Sequence, residues 1–188
     1  PRTFAWAYYS LGVALDALDR PLEAADAFRQ ALQYAESYAQ EFPENLQSLD
    51  PLAWLLAGIP APQFRDPQRS TELAKSQLQR MPLSSRAWIA LGVAQYRLGH
   101  SEDAVQSLER ADELANDAKT GVHFFLAMAH CQLGQHDQAR RWYAQAVSSM
   151  EKNQPKHPEL LNFRNEAHAL LERIAQNEAA EPPATPTD

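Results

Sequence analysis

The sequence repeats itself at an interval of 35 residues, and this feature limits the available folds more than any other. Two segments align without a gap, and a third segment near the N-terminus follows the same scheme. A fixed period of roughly 20–50 residues is typical of arrays in which each repeat stacks on its neighbours. The matching positions are Trp88, Leu91, Gly92, Gly99, Ala104, Leu108 and Ala111, then His123, Leu126, Ala127, Gly134, Ala139, Tyr143 and Ala146, and in the N-terminal segment Tyr8, Leu11, Gly12, Ala24, Phe28 and Ala31.

Each repeat is predicted to be a pair of α-helices. Ala, Leu, Gln and Glu are abundant, apolar residues recur at spacings of three and four, and alternating β-branched runs are missing. Two Asp-Pro pairs, at 50–51 and 66–67, place a capping side chain before a proline that suits the first helical position. Gly99 and Gly134 suit the turns between paired helices. The predicted fold class is therefore all-α.

The repeated residues predict how the two helices of a pair pack. A small residue on each helix lets the backbones approach, and one large side chain fills the remaining space. In the third copy these residues are Gly92, Ala104 and Leu108, and in the fourth copy Tyr143 takes the place of the leucine. We therefore expect Leu108 and Tyr143 to be buried between helices, with a cost of about 3 kcal/mol for Tyr143→Ala.

These residues resemble the tetratricopeptide repeat (TPR) family, whose pattern is W-x2-L-G-x2-Y, then G, then A-x3-F-x2-A. A degenerate copy surrounds Trp54 and Gly58, where Pro60 and Pro62 shorten the first helix. The resemblance implies a solenoid of antiparallel helix pairs that holds other proteins and has no catalytic residues. From this copy to Leu171 the chain also resembles TPR modules that follow kinase or other signalling domains in large bacterial proteins, which implies a scaffold role beside such a domain.

The predicted organisation is a single TPR-like domain with a cover at its C-terminal end. Residues from Pro158 onward form one broad apolar face, and terminal repeats need such a capping helix. The last residues are rich in Glu, Ala, Pro and Thr without apolar periodicity, which is typical of a flexible acidic tail. The predicted segments are the domain at 1–176, repeats at 3–40, 50–82 (degenerate), 85–116 and 120–150, the capping helix at 158–176 and the tail at 177–188.

Charge and hydropathy argue against two classes of partner. The formal net charge is −7, with 24 acidic and 17 basic residues, so the surface should repel nucleic acid, including the RNA that 35-residue pentatricopeptide repeats bind. The longest mainly apolar stretch, 52–61, is about half of the roughly 20 residues that a membrane span needs.

No signal peptide is visible and the first residue is not Met, so we expect a cytoplasmic piece of a longer protein.

No motif for catalysis, metal binding or cofactor binding is present in the sequence. His123, His130 and His136 are spaced by seven and six, whereas two ligands on one helix face usually lie about three or four residues apart. Cys131 is the single cysteine and lies within a helical pattern, without a nucleophile turn. Phosphate-binding glycine loops are missing as well. We therefore predict no enzyme activity, no metal and no cofactor.

The candidate binding residues form a second row on the first helix of each repeat, which we call the first-helix stripe. In a TPR solenoid this row lines the concave groove, where exposed apolar residues usually mark a binding site. The alternative is that the row is core, covered by the helix from Pro158 or by neighbouring repeats. The stripe consists of Trp6, Tyr9, Val13, Arg86, Ile89, Val93, Tyr96, Arg97, Phe124 and Met128.

The stripe predicts a protein-interaction scaffold that binds a peptide or a partner domain. The Lys and Asn clamp by which some family members hold acidic C-terminal tails is absent at Tyr9 and Val13, so a tail receptor is disfavoured. We expect Arg86 and Arg97 to orient a partner's carboxylate, and Tyr96→Ala or Arg97→Glu to weaken binding more than folding. The alternative function is self-assembly, in which the apolar face joins two copies of the chain.

Overall fold

The computed structural model describes residues 2–115 and 119–180, and within these ranges the chain forms nine α-helices and no β-strand. Eight helices form four antiparallel pairs, and the ninth comes after them as a single helix. The prediction of an all-α, TPR-type solenoid is confirmed. The helices are α1 Arg2–Ala17, α2 Pro21–Glu41, α3 Asp50–Gly58, α4 Pro67–Arg80, α5 Ser85–Arg97, α6 Ser101–Leu114, α7 Lys119–Gln132, α8 His136–Asn153 and α9 Pro158–Ala180.

Local sequence explains where several of these helices begin and end. The side chains of Asp66 and Ser84 accept hydrogen bonds from backbone N–H groups in the first turns of α4 and α5. Gly99 and Gly134 come after α5 and α7 with φ of 79° and 69°, in the left-handed region that ends a helix at little cost for glycine. After α1 the same conformation is taken by Asp19, with φ of 56°, because aspartate tolerates this region better than most residues.

The helix pairs pack through the repeated small residues. A Cβ atom built on Gly92 would lie 2.6 Å from Leu108 Cγ, and one built on Gly12 would lie 2.5 Å from the Phe28 ring. Glycine at these positions therefore lets the second helix of the pair approach the first. Leu108 is fully buried, as predicted, together with Ala104.

Tyr143 differs from the sequence expectation because it is only half-buried. Its ring lies 6.0 Å from the rings of Phe124 and His168, and α9 covers it from one side only. A further helix pair would enclose such a side chain, whereas the single helix α9 leaves part of it in water. We therefore expect Tyr143→Ala to cost less than the roughly 3 kcal/mol of a fully buried aromatic residue.

We predict that Gly92→Ala lowers the free energy of unfolding by about 1–2 kcal/mol. The added methyl group would meet Leu108 Cγ at 2.6 Å and the Leu108 backbone nitrogen at 3.1 Å, and overpacking of this kind outweighs the roughly 1 kcal/mol that alanine gains in helix propensity. Urea denaturation followed by circular dichroism measures the difference.

Gly121→Ala is the matched control for this prediction. Gly121 also lies within a helix, but the nearest atom to its added Cβ would be Leu160 Cδ2 at 3.7 Å, an ordinary contact distance. This variant should be as stable as the parent or slightly more stable. Equal stability of Gly92→Ala and the parent chain would contradict the packing described above.

The degenerate second pair is short because its first helix is cut at Gly58. Beyond it the chain makes a turn in which the Arg65 guanidinium donates hydrogen bonds to the carbonyl oxygens of Ile59 and Pro60, both at 2.6 Å. The backbone N–H of Asp66 donates to the carbonyl of Leu56 at 2.8 Å. These bonds satisfy carbonyl groups that a longer helix would have paired, which compensates for the prolines.

Polar bonds in the second pair replace part of the apolar volume found in the other pairs. Ser70, Ala74 and Gln77 occupy the positions of Ala104, Leu108 and Ala111, and all three are buried. The Ser70 hydroxyl donates to the Ala53 carbonyl at 2.7 Å, and Gln77 Nε2 donates to Asp50 Oδ1 at 2.7 Å. The second helix of this pair is therefore tied to the first by hydrogen bonds as well as by packing.

Helix α9 covers the C-terminal end of the solenoid and extends over its concave side. It packs on α7 and α8 and also reaches α1. The predicted end at Gln176 was four residues short, because Glu178 contacts His136 Nδ1 at 2.8 Å and accepts a hydrogen bond from Arg140 at 2.5 Å. The predicted flexible tail is helical over 177–180, and its remainder, 181–188, lies outside the described residues. The predicted end of the third repeat, residue 116, also lies outside them.

Candidate partner-binding site

Most of the first-helix stripe is buried, so the prediction of an open groove along its whole length was wrong. Helix α9 and the neighbouring helices cover six of its ten members, and the covered core considered as an alternative is what the structure has. The reason is that α9 lies against the first helices of the repeats and supplies apolar side chains to the same core. The buried members are Tyr9, Val13, Val93, Tyr96, Phe124 and Met128, each 5% exposed or less.

Arg97 is also paired within the chain, contrary to the sequence expectation that it binds a partner's carboxylate. Its side chain is 10% exposed, and both terminal nitrogens of the guanidinium bond the two carboxylate oxygens of Glu166 on α9. The guanidinium carbon lies 5.1 Å from the centre of the Tyr96 ring and 5.4 Å from that of Phe125, which is cation–π distance. Arg97 therefore orients the chain's own helix instead of an external carboxylate.

A second polar contact joins α9 to the first helix of the array. The Tyr9 hydroxyl donates a hydrogen bond of 2.6 Å to Glu159 Oε1. Burial raises the pKa of the Glu159 carboxyl above its ordinary value, and the hydrogen bond from Tyr9 offsets part of that rise. Burial and the nearby Glu159 charge raise the pKa of Tyr9 well above its ordinary value, so the tyrosine stays a hydrogen-bond donor.

We predict that Glu159→Gln raises the melting temperature at neutral pH. Glutamine can still accept the bond from Tyr9 but places no charge in a partly buried site. With a raised pKa, the folded chain binds the Glu159 proton more tightly than the unfolded chain does. The contribution of the Glu159 carboxyl to the free energy of unfolding therefore falls as pH rises from about 4.5 through the pKa of the folded chain. The advantage of the variant should be largest above that window and should shrink toward pH 4.5.

Thermal melts of parent and variant across this pH range measure the effect. Glu151→Gln, at an exposed position on α8, serves as the control and should show no comparable advantage. A stability difference between Glu159→Gln and the parent that stayed constant with pH would contradict the burial of this charge.

The other three stripe residues, Trp6, Arg86 and Ile89, line an open pocket of about 660 Å³. The pocket lies where the N-terminal ends of α3, α5 and α7 meet the C-terminal end of α8 and the start of α9. Its apolar wall combines Trp6 and Ile89 with Trp54, and with Leu160 and Phe163 of α9. This pocket is therefore the part of the predicted groove that α9 leaves uncovered.

The charged groups of the pocket are divided between its interior and its rim. The Asp50 side chain is 5% exposed, accepts a hydrogen bond from Gln77 and lies 3.5 Å from Arg86 Nη1. Arg86 and Lys119 have side chains that are 61% and 45% exposed. Glu159, partly buried, also lines the pocket and accepts the bond from Tyr9. Lys119 Nζ lies 4.0 Å from Asp112 Oδ1. The most exposed charges at the rim are nevertheless the positive ones of Arg86 and Lys119, and an anionic group on a partner would meet them first.

Sequence reasoning missed Asp50, Trp54 and Lys119 as pocket residues. Asp50 was interpreted only as a capping residue before Pro51, although in the structure its buried carboxylate faces Gln77 and Arg86. The sequence pattern places Trp54 in the repeat motif, yet in the structure its ring lies at the pocket wall and packs on Phe125 and Phe163. No sequence signal distinguished Lys119 from other surface lysines.

The described residues also limit the chemistry that the surface offers. Burial raises the pKa of the Cys131 thiol to about 11, so the thiol stays protonated at neutral pH and is a poor nucleophile. Within 2–115 and 119–180, no three His, Cys, Asp or Glu side chains are grouped closely enough to hold a metal ion. None of the helices in these ranges combines the length and the hydropathy required to cross a membrane.

Comparisons with known proteins agree with this architecture. Three tetratricopeptide repeat models match residues 7–38, 65–119 and 120–145, which together make up more than half of the chain. No curated protein matches it in sequence. One solved structure, "Crystal structure of MamA", is 18% identical with a TM-score of 0.52 and aligns over 84% of this chain and 96% of that chain. Another, "Crystal structure of MamA protein", is 19% identical with a TM-score of 0.51 over 97% and 98%.

At these identities the two structures show the shared fold alone. The matches of the family models fall on the helix pairs whose packing residues were described above. The chain therefore belongs to the tetratricopeptide repeat family, whose helical solenoids are scaffolds for protein–protein interaction.

Proposed function

We propose that this scaffold binds a segment of a partner protein in the open pocket, and not along the full concave groove. The observation that carries the proposal is that the pocket is the one part of the first-helix stripe, among the described residues, that α9 does not cover. Its volume of about 660 Å³ falls in the range of roughly 300–1,000 Å³ that is typical of ligand sites. Such a pocket admits a few side chains of an extended segment or of a helix end.

The lining of the pocket favours a partner segment with an apolar side chain next to a carboxylate. Trp6, Trp54 and Ile89 offer an apolar surface, and tryptophan is enriched among residues that dominate binding energy. Arg86 and Lys119 at the rim would pair with the carboxylate. This keeps the predicted carboxylate recognition but assigns it to Arg86, because Arg97 is occupied by Glu166.

The test of this proposal is the affinity for a peptide selected from a displayed random library on the immobilised chain. We predict that Arg86→Glu weakens binding of the selected peptide at least tenfold, or about 1.4 kcal/mol, because the rim then repels the partner's carboxylate. Calorimetric titration gives the affinity, and a thermal melt confirms that the variant is folded.

Arg29→Glu is the matched control, since the Arg29 side chain on α2 is also 61% exposed but lies outside the pocket. It should bind the peptide as the parent does. A peptide that binds Arg86→Glu and Trp6→Ala with full affinity would rule out the pocket as the binding site.

Two broader expectations accompany this proposal. The resemblance to modules beside kinase domains leads us to propose that helices α1 to α9 act as one domain within a larger signalling polypeptide. Self-assembly through the first-helix stripe, the alternative function, loses its surface because α9 buries most of that stripe within the chain itself.

A further inference from the structure

The wall of the open pocket contains a carboxylate that has no ion-pair partner. Glu159, at the start of α9, lines the pocket and is partly buried. The Tyr9 hydroxyl donates its hydrogen bond to Oε1, at 2.6 Å, which leaves Oε2 for another donor. Among residues 2–115 and 119–180, no Lys, Arg or His nitrogen lies within 4.0 Å of this carboxylate.

The positive side chains at the rim of the pocket lie near other carboxylates. Arg86 Nη1 is 3.5 Å from Asp50 Oδ2, and Lys119 Nζ is 4.0 Å from Asp112 Oδ1. The two rim charges therefore each have a negative group of the chain beside them. Glu159 is left as an uncompensated negative charge in the pocket wall.

Aromatic rings surround this carboxylate. The ring centres of Trp6 and Tyr9 are 6.0 Å apart, and those of Trp54 and Phe163 are 6.1 Å apart. Burial raises the pKa of Glu159, and the neighbouring Tyr9 and Trp54 side chains oppose that rise, so both lie beside the carboxyl. The face of an aromatic ring attracts a cation, and tryptophan does so most strongly. A carboxylate set among such rings favours a positively charged ligand.

Glu159 costs the chain stability in the absence of such a ligand. A partly buried carboxylate without an ion-pair partner is destabilising, which is why Glu159→Gln is expected to raise the melting temperature. The folded chain has already removed part of the water around this charge. A partner's cation would therefore gain an ion pair here at a smaller desolvation cost than at a fully exposed carboxylate.

We propose that the pocket receives a lysine or arginine side chain of the partner segment, with its positive end at Glu159 and its methylene stem along Trp6 and Ile89. Long basic side chains commonly place their stem on an apolar surface in this way. The inference rests on the proposed function and names the side chain that enters the pocket. The carboxylate that pairs with Arg86 belongs to the same segment, so the partner carries both charges.

A peptide selected from a displayed random library on the immobilised chain is the probe. The selected peptides are expected to share a lysine or arginine, and its replacement by norleucine, which keeps an apolar stem without the charge, should weaken binding about tenfold or more. Glu159→Gln should weaken binding of the unmodified peptide by a similar factor, although this variant is expected to be the more stable protein.

Calorimetric titration of both peptides with the parent and with Glu159→Gln completes the test. The norleucine peptide should bind Glu159→Gln about as well as it binds the parent, because the charge pair is already lost. Glu151→Gln, which removes an exposed carboxylate of α8 outside the pocket, is the matched control and should keep full affinity. The norleucine peptide tests the proposal on the unaltered chain if Glu159→Gln disturbs folding.

The possible failures separate this inference from the proposed function. Peptides that lose affinity for Arg86→Glu but contain no basic residue would overturn the inference and leave the pocket as the binding site. Full affinity of the norleucine peptide for the parent, or of the unmodified peptide for a folded Glu159→Gln, would do the same. Peptides that bind Arg86→Glu and Trp6→Ala with full affinity would reject the pocket and this inference together.

Discussion

Replacement of Phe125 by alanine is expected to lower the free energy of unfolding by about 3–5 kcal/mol, the usual cost of deleting a buried aromatic ring. Phe125 is fully buried on α7. Its ring centre lies 6.4 Å from that of Trp54, 5.9 Å from that of Tyr96 and 4.8 Å from that of Phe163. These three rings belong to α3, α5 and α9, so the cavity would open where four helices meet.

Urea denaturation at neutral pH measures this loss, which is a large fraction of the roughly 5–15 kcal/mol that stabilises a typical domain. Phe125→Leu keeps most of the apolar volume and is the control; it should cost clearly less than the alanine variant. A midpoint for Phe125→Ala close to that of the parent would mean that α9 and α3 do not share a core with α7.

Arg97→Glu is expected to lower the free energy of unfolding by about 3 kcal/mol. Removal of one partner from a buried ion pair commonly costs roughly 3–5 kcal/mol, and the lower figure applies here because the Glu166 side chain is 33% exposed. The reversal also places a carboxylate over the Tyr96 and Phe125 rings, where the guanidinium lay. From the sequence, Arg97→Glu is expected to weaken partner binding more than folding. The structure predicts that this substitution affects folding more than binding, because Arg97 is paired with Glu166.

A double-mutant cycle separates this ion pair from general disturbance of the site. Glu166→Arg should also destabilise the chain, and the combination of Arg97→Glu with Glu166→Arg should recover part of the loss because opposite charges face each other again. The expected coupling energy is about 1–3 kcal/mol. Strict additivity of the two single variants would show that the contact between α5 and α9 contributes little.

The repeat pattern was sufficient to predict the helix pairs and their packing. The interval of 35 residues and the Asp-Pro pairs located the helices because a TPR pair is determined by contacts within about 30 residues of sequence. Gly92 and Leu108 could be assigned correctly for the same reason, since each one's contact partner lies in the same repeat. The burial of Tyr143 was overestimated because its surroundings depend on the single helix α9, which lies outside the repeat pattern.

The binding surface could not be predicted in the same way because it depends on where α9 lies. The sequence showed that this helix is amphipathic, but Glu159 and Glu166 resemble ordinary solvent-exposed carboxylates until their contacts with Tyr9 and Arg97 are seen. These contacts join residues far apart in sequence, and no periodicity encodes them. Of the residues assigned to the groove, Trp6, Arg86 and Ile89 lie in the open pocket because they are near the end of the groove that α9 does not cover.

The bond between Tyr9 and Glu159 gives this array a property that open solenoids lack. In most repeat proteins each unit contacts only its neighbours, so the terminal units can fray while the middle stays folded. Here the first and the last helix are joined across 150 residues of sequence. Loss of order at either end removes contacts from the other end, so we expect the repeats to unfold as one cooperative unit and a destabilising substitution in α9 to weaken the packing of α1.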